Sequence, residues 1–438
     1  METEIVWPAW IGATLLFALF YWLMLRAGRR IRLLTDTPTS KAKGVFVGQV
    51  ELSGRAKLIP CVRSFLANAE CVWYRYSIEE EWGRWETESY TDKDGKTHTR
   101  QVYKSGWKQV ADGGEAPSFY VEDETGSVLI QPARAEIQPL TIFSESVNRS
   151  QALYFSKGPR FEISDSTGHR RFSEQAIPLD ANLFVAGHAR ERADVVAPEI
   201  AFDDTQDMFL ISCNGEARVA RSYRWQFWIF GGLTLLLLPG AAAIQYHSTN
   251  LAPNIAALCG LGCAALLVWL FGWLWMAYNS LVQLRNRAAQ AWSLIDVQLK
   301  RRSDLIPRLV EVLKGLCDHE NSIQKEIASL RSQAIATPPG QPGPDVDSAG
   351  QVIVAIAERY PELKTSASFL TLQRELSDTE TRIALARDYY NSIATHLNTR
   401  LEIIPDRWFA PLAGLRPLTL FTAESFEREV TRVNLASS

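Results

Sequence analysis

Three apolar blocks, each about as long as a lipid bilayer is thick, set the main constraint on how this chain folds. They cover residues 5–25, 225–246 and 253–277, and none of them contains Asp, Glu, Lys or Arg. About 20 apolar residues in a helix cross the hydrocarbon core. The sequence therefore predicts three transmembrane helices, the last two forming a hairpin around a short polar link.

Basic residues flank these blocks and predict their orientation. They are Arg26, Arg29, Arg30 and Arg32 after the first block, Arg218, Arg221 and Arg224 before the second, and Arg285 and Arg287 after the third. Lys and Arg accumulate on the cytoplasmic side of membranes. We expect the N-terminus outside and both large polar segments in the cytoplasm. The acidic leader, with Glu2 and Glu4, favours a retained anchor over a cleaved signal peptide.

Charge and cysteine content narrow the function classes. The net charge of −3 gives no general reason to expect a nucleic-acid partner. The six cysteines form no Cys-x-x-Cys pair, and no histidine is spaced to complete a zinc site. We expect no metal, no cofactor and no catalytic residue.

The segment 43–215 has the period of β-strands. Val72, Tyr74, Tyr76 and Ile78 alternate with polar neighbours, and Asp94-Gly95 is a hairpin signal before a second run rich in aromatic residues. The sequence predicts a mainly antiparallel β domain (an α+β domain if helices join it), with a helix or two over 135–150.

Three runs in this segment resemble the GIDE-type domain of membrane-bound ubiquitin ligases and their bacterial relatives. The runs are Cys71-Val72-Trp73-Tyr74, the stretch from Pro117 to Val128, and Ile177-Pro178-Leu179 with Val185-Ala186-Gly187. In those ligases the activity resides in a RING finger, which needs closely spaced Cys and His that this sequence lacks. We interpret residues 123–126 as a β-turn and not as a metal loop.

From residue 278 to 438 the period becomes helical. Leu281, Leu284, Ala288 and Ile295 share one stripe, and Pro307 predicts a kink or a fresh helix start near Ser303-Asp304. A Pro- and Gly-rich loop over 337–350 and further helices over 352–359, 365–401 and 423–433 follow. Stripes of this kind must pack together, which predicts an all-α antiparallel bundle.

This region resembles the LemA family. The matching runs are Tyr278-Asn279-Ser280-Leu281-Val282, Leu284-Arg285-Asn286-Arg287, Ala291-Trp292, Ile295 to Arg302, Asp304 to Pro307, Tyr360 to Lys364, Leu372-Gln373, Glu380 to Ile383 and Ala386 to Asn391. The resemblance implies an anchored cytoplasmic helical bundle without an established common reaction. With the GIDE-like segment, it also implies a multi-pass protein of the bacterial plasma (inner) membrane.

The residues that carry the LemA pattern are the candidates for interaction. They are Arg285, Arg287, Trp292, Asp296, Lys300, Arg301, Arg302, Asp304, Pro307, Glu380, Arg382, Tyr390 and Asn391. The charged ones suit ion pairs between helices, or a basic patch against lipid head groups or a protein partner.

Two functions remain open, together with a third of another kind. The first is a membrane-anchored, non-catalytic scaffold or adaptor that displays two cytoplasmic modules for protein–protein interaction. The second is an accessory subunit or regulator of a membrane enzyme, such as a protease or a ubiquitin-ligase-like system. The third is an oligomeric pore. The expected partners are membrane lipids, unidentified cytoplasmic or membrane proteins, and other copies of the chain in a homo-oligomer.

A coiled coil and a small-residue helix contact complete the expectations. The long helical patterns are compatible with a coiled coil. In the third block, Ala256, Cys259, Gly260, Cys263 and Ala264 fall on one stripe. Small side chains let helices approach closely, so this face is expected to pack on the second block or on another copy.

Overall fold

A computed structural model describes residues 7–91, 97–192, 194, 197–204, 208–248, 254–316, 367–404, 406–411 and 414–421. The chain divides into two compact units. We call residues 39–221 the β unit, and residues up to 38 together with those from 222 onward the helical unit.

Three long helices contain the apolar blocks: α1 (Trp7–Thr35), α3 (Glu216–Ser248) and α4 (Ile255–Leu316). All three are long and apolar enough to cross a membrane. Only 11–22% of the residues in their most apolar stretches are buried inside the chain. A core helix of a water-soluble protein would bury such a surface, so these helices are compatible with a membrane protein.

The apolar helices contact one another through a small cluster. Met24 of α1, Phe227 of α3 and Met276 of α4 are buried together with Ala27. Gly28 makes this approach close, because a Cβ there would lie 2.6 Å from the sulfur of Met276. The small-residue stripe does not pack on the second apolar block, since its members are exposed in the chain: Ala256, Cys259, Gly260, Cys263 and Ala264. Its packing on another copy stays a prediction.

Helix α4 has 62 residues and continues without interruption from the apolar block into the polar region. Pro307 lies inside it, so the predicted fresh start near Ser303-Asp304 is wrong. Proline removes one backbone donor but leaves the rest of the hydrogen-bond ladder, and the buried Leu305, Ile306 and Leu309 hold the helix on its partner.

The partner is α5 (Ala367–Glu402), which runs antiparallel to α4. Its direction follows from three contacts along the pair: Arg302 with Glu380, Trp292 with Tyr390, and Ser280 with Arg400. Buried side chains of α5 recur at helical spacing, among them Phe369, Leu376, Ile383, Tyr390 and Leu397. A short helix α6 (Asp406–Phe409) and an extended segment over 415–421 follow.

The β unit contains thirteen described strands and a five-residue helix. The strands are β1 (Thr39–Ser40), β2 (Gly48–Lys57), β3 (Val62–Arg63), β4 (Glu70–Thr91), β5 (Thr97–Glu115), β6 (Phe119–Glu122), β7 (Ser127–Ile130), β8 (Glu136–Gln138), β9 (Leu140–Asn148), β10 (Ser166–Pro178), β11 (Asn182–Glu191), β12 (Pro198–Ala201) and β13 (Leu210–Ser212). Helix α2 (Ala152–Ser156) lies between β9 and β10.

The first sheet closes on itself. Strands β2, β6, β7, β12 and β11 pair in that order, and β11 pairs back onto β2. The remaining strands of this eight-stranded sheet, β1, β13 and β8, pair outside the ring, and the closed ring encloses a core. That core includes Leu52, Val121, Ile130, Val185 and Ile200, all essentially inaccessible to solvent.

The second sheet has the order β3-β4-β10-β9, with β5 paired to β4. Strands β4 and β5 match the predicted hairpin, and their register runs from Tyr74↔Glu115 to Thr91↔Thr97. The turn residues 92–96 lie outside the described part. The helices predicted over 135–150 are wrong, because β8 and β9 occupy that stretch and α2 follows it.

A fully buried ion pair anchors this second sheet. Arg170 of β10 donates from Nε and Nη2 to Glu80 Oε2 of β4, at 3.0 and 2.8 Å. Its remaining N–H groups reach the carbonyl oxygens of Tyr154, Pro159 and Phe161 at 2.7–2.8 Å. All five guanidinium donors are thereby satisfied. Burial acts to raise the pKa of Glu80, but hydrogen bonds from Ser166, Arg170 and Tyr154 hold it below the ordinary value.

Several predicted features fall on residues outside the described ranges. These are the loop over 337–350, the helices over 352–359 and 423–433, and the LemA-like run from Tyr360 to Lys364. The long helix predicted over 365–401 is confirmed as α5.

Candidate functional site

A buried network of charged and polar side chains lies where α1 ends in the helical unit. Asp36 follows the last residue of α1 and accepts hydrogen bonds from Arg400 Nη1 of α5 at 2.8 Å and from the hydroxyl of Ser280 of α4. His396 Nε2 of α5 lies 3.1 Å from the other carboxylate oxygen. Three helices are thus joined through one carboxylate.

Arg400 is shared between two carboxylates. Its Nε donates to Asp406 Oδ2 of α6 at 2.6 Å, and its Nη1 also reaches Ser280 Oγ at 2.6 Å. The Nη2 atom lies 2.5 Å from Asp406 Oδ2, within ion-pair range, yet it is buried and has no well-directed hydrogen bond among the described residues. The Nη2 group therefore attracts the Asp406 carboxylate by charge, while its N–H groups are not directed at an acceptor among the described residues.

The surroundings keep Asp36 ionised. Burial by itself would raise the pKa of its carboxyl group, but the hydrogen bonds from His396 and Ser280 and the charge of Arg400 bring the pKa below the ordinary value of 3.8. A buried carboxylate with these partners favours one arrangement of α1 against α4 and α5, because any slip leaves a charge without its partner.

An open pocket of about 420 Å³ borders this network. One part of its lining is apolar and contains Phe227, Trp228, Trp273 and Met276. The other part is charged and contains Arg32, Arg224, Arg400, His396, Asp36 and Asp406. The two kinds of lining meet near the ends of the apolar blocks of α1, α3 and α4.

Most sequence-predicted candidates lie elsewhere, along α4 and α5. Arg302 and Glu380 form an ion pair between these helices at 3.8 Å, with the arginine side chain 7% exposed. Arg382 pairs with Asp378 one turn earlier on α5, at 2.8 Å. Arg285, Lys300, Arg301, Asp304 and Pro307 are exposed on α4, whereas Asp296 is half-buried.

Trp292, Tyr390 and Asn391 hold the extended segment against the bundle. The Trp292 ring stacks on Phe421 with centroids 4.9 Å apart, and Tyr390 meets both rings edge-on. The Asn391 side-chain amide pairs with the backbone of Phe421 in both directions, at 2.8 and 2.9 Å. Asn398 does the same for Leu418. These candidates therefore have a structural contact in the chain.

Arg287 joins the candidates to the network, because it donates a hydrogen bond to the hydroxyl of Thr37, next to Asp36. Sequence reasoning missed Asp36, Ser280, Arg400 and Asp406 as a group. The one local signal is that Asp36 is the first acidic residue after the basic run that follows the first apolar block. Asp36 and Arg400 are 364 positions apart, and no periodicity links them.

The turn over 123–126 of the β unit is as predicted. Asp123 Oδ1 accepts from the backbone of Thr125 and Gly126 at 2.7 and 3.1 Å. Its other oxygen accepts from the backbone of Ala42 at 2.8 Å, so the carboxylate is used in capping two turns. In the ranges that the structure describes, no group of three or more His, Cys, Asp or Glu side chains is arranged around a metal position.

Two family models match the chain. Residues 291–435 match the LemA family, and residues 87–242 match a family described as GIDE, E3 Ubiquitin ligase. Both resemblances expected from the sequence are thereby confirmed. The GIDE match begins in the outer part of β4 and ends inside α3.

Two curated relatives are similar to parts of the chain. Protein LemA of Metamycoplasma hominis is 28% identical over 155 residues, which are 34% of this chain and 71% of that protein. Magnetosome protein MamQ of Magnetospirillum gryphiswaldense is 23% identical over 176 residues, which are 33% of this chain and 65% of that protein. The chain thus covers slightly less than two thirds of the second relative.

Proposed function

We propose that this chain, which carries a LemA-family domain at its C-terminal end and a GIDE-family segment before it, is a membrane-anchored scaffold or adaptor. The β unit and the α4–α5 bundle are its two interaction modules, both on the cytoplasmic side. The proposal assigns the chain no reaction of its own.

The continuity of α4 is the observation that carries this proposal. One helix contains an apolar stretch fit for a bilayer and, without a break, the buried stripe that packs on α5. The Asp36 network then fixes the end of α1 to the same bundle. A module held this way at a membrane keeps a high local concentration for partners, which makes weak contacts effective.

Exposed groups on both units suit contact with other proteins. On the β unit, β4 pairs with β10 only as far as Trp82, and beyond that residue β4 and β5 continue as a two-stranded hairpin. Three aromatic side chains on this part of the hairpin are about half exposed or more: Trp85, Tyr90 and Tyr103. On α4, Arg285, Lys300 and Arg301 are exposed. Aromatic and arginine side chains are enriched in protein interfaces.

The membrane placement makes a testable prediction. A reporter fused after Leu34, or at the end of the chain, is expected to be active in the cytoplasm, because the basic flanks of all three apolar blocks belong to one side. The protein is expected to stay with the membrane on extraction with alkaline carbonate. A periplasmic reporter at either position, or release by carbonate, would contradict the placement.

Site-specific photo-crosslinking in native membranes tests the adaptor role. With a crosslinking residue at Trp85 or at Arg301, we expect one or a few proteins to be captured in near-stoichiometric yield. A crosslinking residue at Leu236, an exposed position on the apolar part of α3, serves as the control for lipid-facing capture. Capture of the same material at all three positions would argue against specific modules.

The second candidate, an accessory of a membrane enzyme, is favoured by the match to the GIDE family of E3 ubiquitin ligases. The same crosslinks separate the two candidates. A captured enzyme whose turnover changes when this chain is removed indicates the accessory role, whereas captured proteins without such dependence indicate the adaptor role.

A further inference from the structure

We propose that the pocket at the cytoplasmic ends of the apolar helices binds the phosphate group of an anionic membrane phospholipid. The pocket is the one bordering Asp36, lined by Phe227, Trp228, Trp273 and Met276 on its apolar side. This inference rests on the membrane placement proposed above, but not on the adaptor role.

Charge is the first argument. Three arginines and two aspartates line the pocket, which leaves a net charge of +1 with histidine counted as neutral. Both carboxylates are engaged with Arg400. Among the described residues, the guanidinium groups of Arg32 and Arg224 make no hydrogen bond or ion pair. An anion is the ligand that completes such a site, and arginine binds phosphate oxygens in a bidentate manner.

Unused donor capacity inside the network is the second argument. The Nη2 group of Arg400 is buried and makes no well-directed hydrogen bond among the described residues, although it is close to Asp406. A buried N–H without an acceptor costs free energy unless a ligand or water supplies one. A phosphate oxygen entering beside Arg32 supplies that acceptor.

The amphipathic lining identifies the source of the phosphate. A free phosphate ion gains no binding free energy from contact with the apolar side chains of Phe227, Trp228 and Trp273. A phospholipid presents both parts at once, since its phosphate lies at the membrane surface and its acyl chains lie in the hydrocarbon. Indole side chains prefer that boundary. Trp228 is 61% exposed, so this part of the apolar lining is accessible from outside the chain.

The test uses the full-length protein purified in a neutral detergent. Its thermal unfolding is measured while phosphatidylglycerol, phosphatidylcholine or inorganic phosphate is titrated in. A ligand that binds only the folded state stabilises it by RT ln(1 + L/Kd), where L is the free ligand concentration, so the unfolding temperature rises once that concentration exceeds the dissociation constant, and the dose dependence gives an apparent affinity. We expect a clear rise with phosphatidylglycerol, a much smaller rise with phosphatidylcholine, and none with inorganic phosphate at equal concentration.

Two double variants remove equal charge from the same flanks of the apolar helices. In Arg32→Gln/Arg224→Gln the pocket loses its unpaired arginines, and the apparent affinity for phosphatidylglycerol is expected to fall about tenfold or more, the loss of one or two charged hydrogen bonds. In Arg29→Gln/Arg221→Gln the arginines removed lie on the same two flanks but outside the pocket lining, and the affinity is expected to stay within about twofold, because an exposed charge away from the ligand contributes little.

Three outcomes would overturn the proposal. One is an equal loss of affinity in both double variants, which would indicate general attraction by charge. Another is an unchanged affinity in the pocket variant. The third is stabilisation by inorganic phosphate without stabilisation by the lipid, which would assign the site to a soluble anion. Failure of the adaptor role would show in the crosslinking experiment and would leave these titrations unaffected.

Discussion

Substituting methionine for Arg170 is expected to lower the free energy of unfolding of the β unit by about 3–5 kcal/mol, the cost of breaking a buried ion pair. The arginine and its partner Glu80 are both inaccessible to solvent. Removing the arginine leaves a buried carboxylate with only hydroxyl partners, and it leaves the carbonyl oxygens of Tyr154, Pro159 and Phe161 without donors. Pulse proteolysis of the full-length protein across a urea gradient measures this change.

Arg171 provides a matched control one residue further along β10. It pairs with Glu79 at 3.5 Å, but its side chain is 46% exposed. Arg171→Met is therefore expected to cost about 1 kcal/mol or less. The double variant Arg170→Met/Glu80→Gln is expected to recover much of the loss, since the neutral amide still accepts from Tyr154 and Ser166 and no unpaired charge remains. Equal effects of Arg170→Met and Arg171→Met would refute the argument.

The helical unit is expected to respond similarly to Arg400→Leu, which should lower its free energy of unfolding by about 3–5 kcal/mol. Asp36 and Asp406 both lose their buried partner in this variant. The control is Arg382→Leu on the same helix, where the partner Asp378 is one turn away and partly exposed, with an expected cost of about 0.5 kcal/mol. Thermal unfolding in detergent compares the two.

The Asp36 carboxylate gives this prediction a pH dependence. Its pKa in the folded protein lies below the ordinary value of 3.8, so the folded state favours the ionised form. The resulting stabilisation is present above that value and is lost as the pH falls through the lower folded pKa. Asp36→Asn should therefore be less stable than the wild type at neutral pH, and the difference should narrow in acid. A difference that stays constant down to the acid limit would contradict the assigned role of Asp36.

Local pattern was enough for the elements that one stretch of sequence determines. The apolar blocks, the hairpin signal at Asp94-Gly95 and the stripe of α5 each depend on the spacing of residues within one continuous stretch of sequence. Each led to the observed element. The stretch 135–150 misled because strands β8 and β9 are short or mostly exposed, so they lack a clear alternation of buried side chains.

The candidate site could not be predicted from local sequence pattern, because its residues are far apart in the sequence. Asp36 lies in a polar run after α1. Arg400 lies near the end of α5, where sequence alone gives no reason to distinguish it from an exposed arginine. Only the packing of α1 on α4 and α5 brings them within 2.8 Å. Pro307 shows the opposite case, because a local rule predicted a kink or a fresh helix start there, and the fresh start is absent from a helix that tertiary packing holds together.

The length of α4 has a mechanical consequence. At 1.5 Å per residue, its part beyond Trp275 extends roughly 60 Å, so a tilt of about 10° moves the far end by about 10 Å. Helices respond to the thickness of the bilayer by tilting. Because the hydrogen bond from Ser280 to Asp36 joins the end of α1 to α4, the two helices would tilt together. In the membrane placement that we propose, a slight thinning of the surrounding lipid would thus become a lateral displacement of about 10 Å at the tip of the bundle.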